Sequence, residues 1–311
     1  MESGALVGAR RELTMAEGKR RRFSVSAVVG TVPMIAVGVG VYCIGIAFTL
    51  FWSFTNSRVF PNYTLVGLDQ YRRLWSSDRW LTSVHNIWVF GGLLIVGNMI
   101  FGFLLAVFMD QRIRQEDLLR SIFLFPYAMS LIVTGLVWQW ALDPNFGIDQ
   151  TMHSLGWTSF HFSPLVDVHT AVYGLVVAGV WQGSGVTMAI MLAGLRGIDA
   201  EIWRAARVDG IPQWRTYLFI ALPMMGGSLA TALVLQCVGV VRVYDLVIGM
   251  TGGGPGISTN MPAVYVIDMI TSSQNVGQGM AAATMMLLPV LVVLGALFLW
   301  RRRPQTRGAA A

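Results

Sequence analysis

Residues that could do chemistry are few in this chain of 311 residues. A glycine-rich run, Thr251–Gly256 (TGGGPG), has the composition of a loop that could cradle a phosphate group. A nucleotide-binding P-loop also needs a lysine that reaches the phosphates, and the one lysine of the chain is Lys19. The chain therefore has no Walker A motif. We expect the run to be a turn, because glycine tolerates left-handed backbone and Pro255 fixes its own.

Histidine and cysteine give no familiar metal or redox motif. No metal-site spacing is recognisable among the four histidines, which are His85, His153, His161 and His169. Cys43 and Cys237 both lie in apolar stretches, which excludes a disulfide framework and a CxxC site. We therefore expect no catalytic residue, no bound metal and no cofactor on this chain.

Composition predicts that the chain spans a membrane. It is 55% hydrophobic and only 12% charged, whereas soluble domains carry about 25% charged residues. A bilayer core about 30 Å thick needs roughly 20 apolar residues per helix. Six runs qualify, at residues 28–53, 85–109, 121–142, 170–195, 216–241 and 277–300. The sequence thus predicts an all-α polytopic membrane protein with six transmembrane helices in a domain over residues 28–300.

Two apolar stretches could be mistaken for something else, one for a signal peptide and one for a membrane span. The first run is too long for a cleavable signal peptide, lies behind some 27 residues and has no convincing cleavage site. Residues 261–270 are apolar but too short to cross a bilayer. We expect an interfacial or re-entrant segment there.

Basic residues orient the chain. Of the 22 lysines and arginines, 17 lie in the two tails, 1–27 and 301–311, and in the second and fourth loops. These are Arg10, Arg11, Lys19, Arg20, Arg21, Arg22, Arg112, Arg114, Arg120, Arg196, Arg204, Arg207, Arg215, Arg301, Arg302, Arg303 and Arg307. The positive-inside rule assigns this side, and so both termini, to the cytoplasm. The net charge of +6 reflects these flanks, which can meet anionic lipid, rather than a nucleic-acid surface.

The predicted spans contain no Asp, Glu, Lys or Arg. Ionisable residues inside the membrane mark proton relays and ion pathways. A proton-coupled secondary transporter is therefore disfavoured, although a sodium site built from carbonyl groups stays open.

A polar segment, residues 201–223 (EIWRAARVDGIPQWRTYLFIALP), follows the fourth run and leads into the fifth. Asp199 can cap a helix whose first turn carries Glu201, which complements the helix dipole. Arg204 can pair with Glu201 on the same face. Gly210 can take the left-handed geometry that ends a helix.

The same segment offers little side-chain bulk at its centre. Ala205 and Ala206 would let another protein approach the backbone closely, and Pro212 suits the first turn of a second helix. Two interpretations follow from these residues: a docking piece for a partner, or an ordinary amphipathic cytoplasmic loop.

The segment resembles the cytoplasmic EAA-type coupling loop of ABC-importer permeases. The pattern is a small pair, Asp-Gly, an aromatic residue and then apolar-Pro; the small pair here is Ala205-Ala206, followed by Asp209-Gly210 and, at the end, Leu222-Pro223. Further motifs look like the sugar-type permeases of the maltose-transport class, and the resemblance covers roughly residues 30–300. They are Tyr244-Asp245-Leu246 before Thr251–Pro255, Trp181-Gln182 before Leu192–Leu195, and Phe125-Pro126. The chain departs from the family at Arg204, where a glutamate is usual; Glu201 or an acidic group of the partner could replace it.

The resemblance implies a transport subunit that is not itself an enzyme. Its implied partners are a second homologous permease, an ABC ATPase dimer that uses ATP and magnesium, a soluble extracytoplasmic binding protein and the bilayer, with no nucleic acid. It also implies a bacterial inner-membrane location. Within the loop at residues 196–215, the implied ATPase-coupling residues are Glu201, Arg204, Ala205, Ala206, Asp209 and Gly210.

Sugar recognition combines hydrogen-bonding groups with aromatic faces. The candidates for ligand contact are Trp138, Gln139, Trp181, Gln182, Ser184, Thr187, Gln236, Tyr244 and Asp245. Each could equally be a helix-packing residue, and tryptophans at span ends are often interfacial anchors. The alternatives are an importer of another solute, such as glycerol phosphate or a polyamine, and an ATP-independent carrier or channel.

Overall fold

The computed structural model describes residues 25–301 except Pro61 and Arg112, with side chains from residue 30 to residue 289. The basic residues before residue 25 and after residue 301, and Arg112, which the charge argument used, lie outside the described residues. Nearly all of the predicted N-terminal tail (1–27) and of the C-terminal tail (301–311) also lie outside them.

The described residues are mainly helical, with an isolated bridge between Thr55 and Leu65. The helices are α1 (Val25–Ser53), α2 (Asp69–Trp75), α3 (Asp78–Asp110), α4 (Glu116–Ala128), α5 (Leu131–Ala141), α6 (Ile148–Ser154), α7 (Ala171–Arg196), α8 (Ala200–Val208), α9 (Gln213–Met224), α10 (Gly226–Val241), α11 (Tyr244–Met250), α12 (Pro262–Thr271) and α13 (Val276–Arg301). Residues Thr216–Ala221 of α9 form a π-helical turn.

Three predicted spans are single helices long and apolar enough to cross a membrane. They are Gly30–Ser53 within α1, all of α3 and all of α7. Two more predicted spans correspond to the pairs α4–α5 and α9–α10, which would bring the number to five if each pair is one span. Helix α13 covers the sixth predicted run. The all-α membrane architecture is confirmed, and the number six is compatible with it.

The third and fifth spans are not the continuous helices that the sequence predicts. Helices α4 and α5 are bent by 98°, and α9 and α10 by 76°. Between α4 and α5, Met129 and Ser130 have extended backbone just after Pro126. Between α9 and α10, Met225 leaves helical geometry directly before Gly226 and Gly227. Proline and glycine pairs are recognised causes of helix breaks, since one removes a hydrogen bond and the other adds backbone freedom.

The chain divides into two compact units, Met1–Phe51 and Trp52–Ala311. The first contains most of α1. The second is organised around α3 and α7, whose glycines allow close packing: a β-carbon on Gly97 would lie 2.7 Å from a Val180 methyl group. One apolar cluster lies toward the ends of these helices next to α8 and includes Met109, Met191 and Tyr217.

A second apolar cluster lies at the opposite ends of α3 and α7 and joins them to α10 and α11. Near it, Arg79 of α3 pairs with Asp268 of α12, and the rings of Trp80 and Tyr265 lie 5.3 Å apart. The predicted short segment at residues 261–270 is thus a ten-residue helix packed on the start of α3.

Candidate functional site

Helix α8 begins and ends where the sequence predicts. The Asp199 side chain accepts a hydrogen bond from the Glu201 backbone N–H at 2.9 Å. Gly210 has a φ of 67° and follows the last turn. The Glu201 and Arg204 side chains approach to 4.0 Å, and both are exposed, so the pair adds little stability. Pro212 is the residue before α9 rather than part of its first turn.

The two alanines of α8 differ in exposure. Ala205 is exposed, whereas Ala206 is only 5% exposed. The Ala206 carbonyl also accepts a hydrogen bond from Ile211 N–H at 3.0 Å. The expectation that both alanines offer open backbone is therefore wrong for Ala206, because that face of α8 packs on its own chain. The outward face carries Glu201, Arg204, Ala205, Arg207, Val208, Asp209 and Gly210.

An aromatic contact joins α8 to the membrane domain. The rings of Trp203 and Tyr217 lie 5.1 Å apart. The Tyr217 hydroxyl donates to Asp110 Oδ2 at 2.8 Å and accepts from Gln111 Nε2 at 3.2 Å. Tyr217 lies in the π-helical turn, and Asp110 is the last residue of α3. The sequence did not indicate these contacts, because the three residues lie on different helices and no helical periodicity relates them.

A second tie holds the same end of the bundle. Arg196, the last residue of α7, approaches Glu116 Oε1 of α4 to 2.7 Å. It also donates to the Met109 carbonyl of α3 at 3.2 Å. The sequence used Arg196 only as a topology signal. Together with the Trp203–Tyr217 contact, this tie connects α3, α4, α7, α8 and α9.

Two of the predicted ligand residues are engaged inside the bundle. The Gln236 side chain accepts from Asn98 Nδ2 at 2.9 Å and donates to Thr187 Oγ1 at 2.7 Å. Thr187 in turn donates to the Gly183 carbonyl at 3.0 Å. These buried bonds link α3, α7 and α10. In this structure Thr187 and Gln236 act as the interhelical polar contacts that membrane bundles commonly use.

The structure brings two predicted ligand residues together, Trp138 of α5 and Trp181 of α7. Their rings meet edge to face with centroids 5.9 Å apart, a favoured aromatic geometry. Both rings keep some exposure, 36% of the residue for Trp181. Gln182 beside them is half-buried. The bend between α4 and α5 directs α5 away from the course a continuous helix would take.

The remaining ligand candidates are dispersed. Gln139 and Asp245 are exposed, and Tyr244 packs at the edge of the core. Ser184 makes a long contact, 3.4 Å, to the Trp181 carbonyl. The polar break around it faces another helix, because Gly185 lies directly against the Phe123 backbone of α4.

The glycine-rich run is a turn, as predicted. Gly252, Gly253 and Gly256 all have positive φ. Thr259 closes the loop by donating to the Gly254 carbonyl at 2.7 Å. Asn86 of α3 holds the loop by donating to the Ser258 carbonyl at 2.8 Å.

A cleft of about 330 Å³ opens beside this loop, lined by residues such as His85, Asn86, His169, Tyr173 and Ile257. Its lining includes none of the predicted ligand residues.

Two of the four histidines lie close together in the structure, although the sequence shows no metal-site spacing. The expectation of no bound metal stays a prediction. In the segment between α5 and α7, His153 and His161 approach Asp149 so that one ligand atom from each lies within 4.8 Å of the others. Sequence spacing missed this because a loop, not a helix period, brings His161 back.

Comparisons with known proteins give a consistent picture. The family model described as binding-protein-dependent transport system inner membrane component matches residues 98–303. A probable ABC transporter permease of Pyrococcus horikoshii is 32% identical over 88% of this chain and 94% of its own length. A xylose/arabinose import permease of Haloferax volcanii is 29% identical over 85% of this chain and 84% of its own length.

Solved structures show the same fold. A chain of a bacterial alginate ABC transporter, in complex with an alginate pentasaccharide-bound periplasmic protein, superposes with a TM-score of 0.74. The match covers 94% of this chain and 98% of that chain, at 18% identity.

Proposed function

The chain belongs to the family of binding-protein-dependent transport system inner membrane components, and we propose that it is a permease subunit that imports a sugar using ATP hydrolysed on a separate chain. The proposal rests on helix α8, which exposes one face and is held to the helix bundle through Trp203 and Tyr217. The relatives supply the substrate class, since one is named for xylose and arabinose import. The chain is a multi-pass membrane protein and a transport subunit rather than an enzyme.

The outer face of α8 is suited to dock a partner. Its exposed residues include Glu201, Arg204 and Ala205, and Val208 is 86% exposed. An exposed valine beside two charged side chains gives an apolar contact with a polar rim, the usual composition of an interface. We assign this face to an ABC ATPase subunit. Arg204, where the family usually has glutamate, calls for an acidic group on that subunit.

The side-chain contacts between α8 and the helix bundle can transmit a displacement of α8. A displacement of α8 by the ATPase dimer passes through Trp203 and Tyr217 to Asp110 at the end of α3. Arg196 moves α7 and α4 together with α3, because it contacts both. The result is a rigid-body change of the helix bundle between inward-open and outward-open states, one of the established modes of switching.

The proposed ligand surface is the aromatic pair Trp138–Trp181 with Gln182. Edge-to-face tryptophans with exposed ring surface can pack on a sugar ring, and a neighbouring amide can hydrogen-bond its hydroxyl groups. The predicted spans contain no Asp, Glu, Lys or Arg, which favours a neutral solute over glycerol phosphate or a polyamine. A homologous permease is proposed to complete the pathway, and a soluble binding protein to deliver the ligand.

The proposed topology places α8 and both termini in the cytoplasm. The basic residues near α8 support it, because they follow the positive-inside rule. It puts the glycine-rich turn and the cleft beside it on the outer side, where a binding protein would dock.

Purification in mild detergent followed by reconstitution tests the proposal. We expect a Walker A ATPase and a second permease to copurify with the chain. Proteoliposomes containing this complex and the binding protein should accumulate a labelled neutral sugar, starting with xylose and arabinose, only when ATP is supplied. Uptake of the same sugar by the isolated chain in ATP-free vesicles would refute the proposal and indicate a carrier or channel.

A further inference from the structure

The segment between α5 and α7 brings three metal-ligating side chains together. Asp149 and His153 are four residues apart on α6, a spacing that places both on one helix face. His161 comes from the loop that follows, and its ring meets the His153 ring edge to face with centroids 5.3 Å apart. One ligand atom from each of the three residues lies within 4.8 Å of the others.

Two hydrogen bonds orient the Asp149 carboxylate. It is 7% exposed, yet its Oδ1 accepts from the Phe162 backbone N–H at 3.0 Å and its Oδ2 from the Ser163 hydroxyl at 3.2 Å. The bond from Phe162 is the main cause that lowers the pKa of Asp149, with Ser163 and the two histidines adding to it against the effect of burial. Both donors lie beyond His161 in sequence, so the loop positions the carboxylate from the opposite side.

His153 is oriented by the same loop. Its Nε2 lies 2.6 Å from the Phe160 carbonyl oxygen. A carbonyl can only accept, so Nε2 is the donor of this bond, and in the neutral ring Nδ1 then carries the lone pair that can bind a metal. Donation of one ring N–H to a backbone carbonyl is the arrangement that metal-bound histidines commonly show, since it sets the tautomer that ligates.

We propose that Asp149, His153 and His161 bind a divalent transition-metal ion of the zinc class. Two imidazoles and one carboxylate form a nitrogen–oxygen ligand set suited to zinc, and three protein ligands leave a fourth position for water or an outside ligand. Zinc ligands at about 2.0–2.1 Å lie roughly 3.3 Å apart in a tetrahedron. Small side-chain rotations, easiest for the exposed His161, would close the present spacing.

Metal binding would restrict the segment at residues 148–163 to one conformation. Without metal, the loop that carries His161 is held to α6 by hydrogen bonds to Asp149 and His153. The ion adds a direct link between helix and loop. The site does not depend on the proposed transport function, because it rests on the geometry of this segment alone.

Equilibrium dialysis of the purified full-length chain against zinc, with metal quantified by mass spectrometry, tests the site. The chain should carry an affinity tag without histidine, so that its four natural histidines are the only ones. We expect one zinc ion per chain, and His161→Ala to weaken binding by at least about tenfold. The matched controls His85→Ala and His169→Ala, which remove histidines lining the separate cleft, should bind zinc like the parent.

Hydrogen exchange of residues 148–163 gives a second readout. Zinc should slow exchange there in the parent and EDTA should reverse the effect, whereas His161→Ala should show no response. His161→Ala should match the metal-free parent in exchange elsewhere, which separates ligand loss from misfolding. Equal zinc binding by the parent and His161→Ala, or equal losses in the two control variants, would overturn the proposal.

Discussion

Trp203 of α8 packs against Tyr217 of the π-helical turn with ring centroids 5.1 Å apart, and Tyr217 donates its hydroxyl proton to Asp110 at the end of α3. This relationship connects the short helix α8 to one of the long helices that organise the bundle. π-helical turns occur often at functional sites. Here the turn places a tyrosine between α8 and the end of α3.

Tyr217→Phe is expected to weaken coupling while keeping the fold. The phenylalanine retains the ring contact with Trp203 but loses the hydrogen bond to a carboxylate, which is worth about 1.5–3 kcal/mol. We expect less sugar transported per ATP hydrolysed in reconstituted complexes, with membrane insertion unchanged. Trp203→Phe, which keeps an aromatic ring, is the matched comparison and should have the smaller effect. Equal transport-to-ATP ratios in Tyr217→Phe and the parent would show that this bond carries no coupling.

Gly210→Pro is expected to uncouple ATP hydrolysis from transport. At a φ of 67°, proline cannot adopt the backbone geometry, since its ring holds φ near −65°. It also loses the hydrogen bond from Gly210 N–H to the Arg207 carbonyl. We expect an inserted chain whose complex hydrolyses ATP without accumulating sugar. Gly239→Ala, at a position in α10 with open space and ordinary φ, should transport normally; normal uptake by Gly210→Pro would contradict the coupling role of α8.

Gly185→Ala is expected to disrupt the packing of α7 on α4. A β-carbon at Gly185 would overlap the Phe123 carbonyl, and backbone cannot move aside as a flexible side chain can. Overpacking of this kind costs about 1–3 kcal/mol. Thermal unfolding of the purified chain should therefore begin at a lower temperature. Gly92→Ala on α3 has open space around it and should leave the melting temperature equal or higher, because alanine favours helix. A normal melting temperature for Gly185→Ala would disprove the close approach.

Gln236→Leu and Trp181→Ala should separate packing from ligand binding. Loss of Gln236 leaves the Asn98 amide without its buried acceptor, at a cost of about 1–3 kcal/mol. It should lower stability and leave the KM for sugar nearly unchanged. Trp181→Ala should raise KM because it removes an exposed aromatic face beside Trp138. Transport kinetics and thermal unfolding of both variants check this; a raised KM for Gln236→Leu at unchanged stability would return Gln236 to the ligand site.

Short-range features were readable from the sequence. The lengths of the apolar runs predict α1, α3 and α7, because a spanning helix must satisfy its own backbone groups and needs a minimum number of apolar residues. The cap at Asp199 and the left-handed end at Gly210 were also predicted, since both depend on interactions within a few residues. The glycine-rich turn follows the same logic.

Long-range features were decided by tertiary structure. Gln236 contacts Thr187 and Asn98 across 49 and 138 positions, and no local rule tells a polar residue in an apolar helix whether a partner helix or a ligand will meet it. Periodicity likewise reports that a face is buried but not against what, so the burial of Ala206 in its own chain escaped prediction.

The sequence by itself therefore determined the membrane architecture and the position of α8 along the chain, because both follow from hydropathy and from local backbone preference. Only the tertiary structure decided the Trp203–Tyr217–Asp110 connection, the pairing of Gln236 with Asn98 and the meeting of Asp149 with His161. The reason is physical: each depends on how distant segments pack, and packing is set by the shapes and hydrogen bonds of all the helices together.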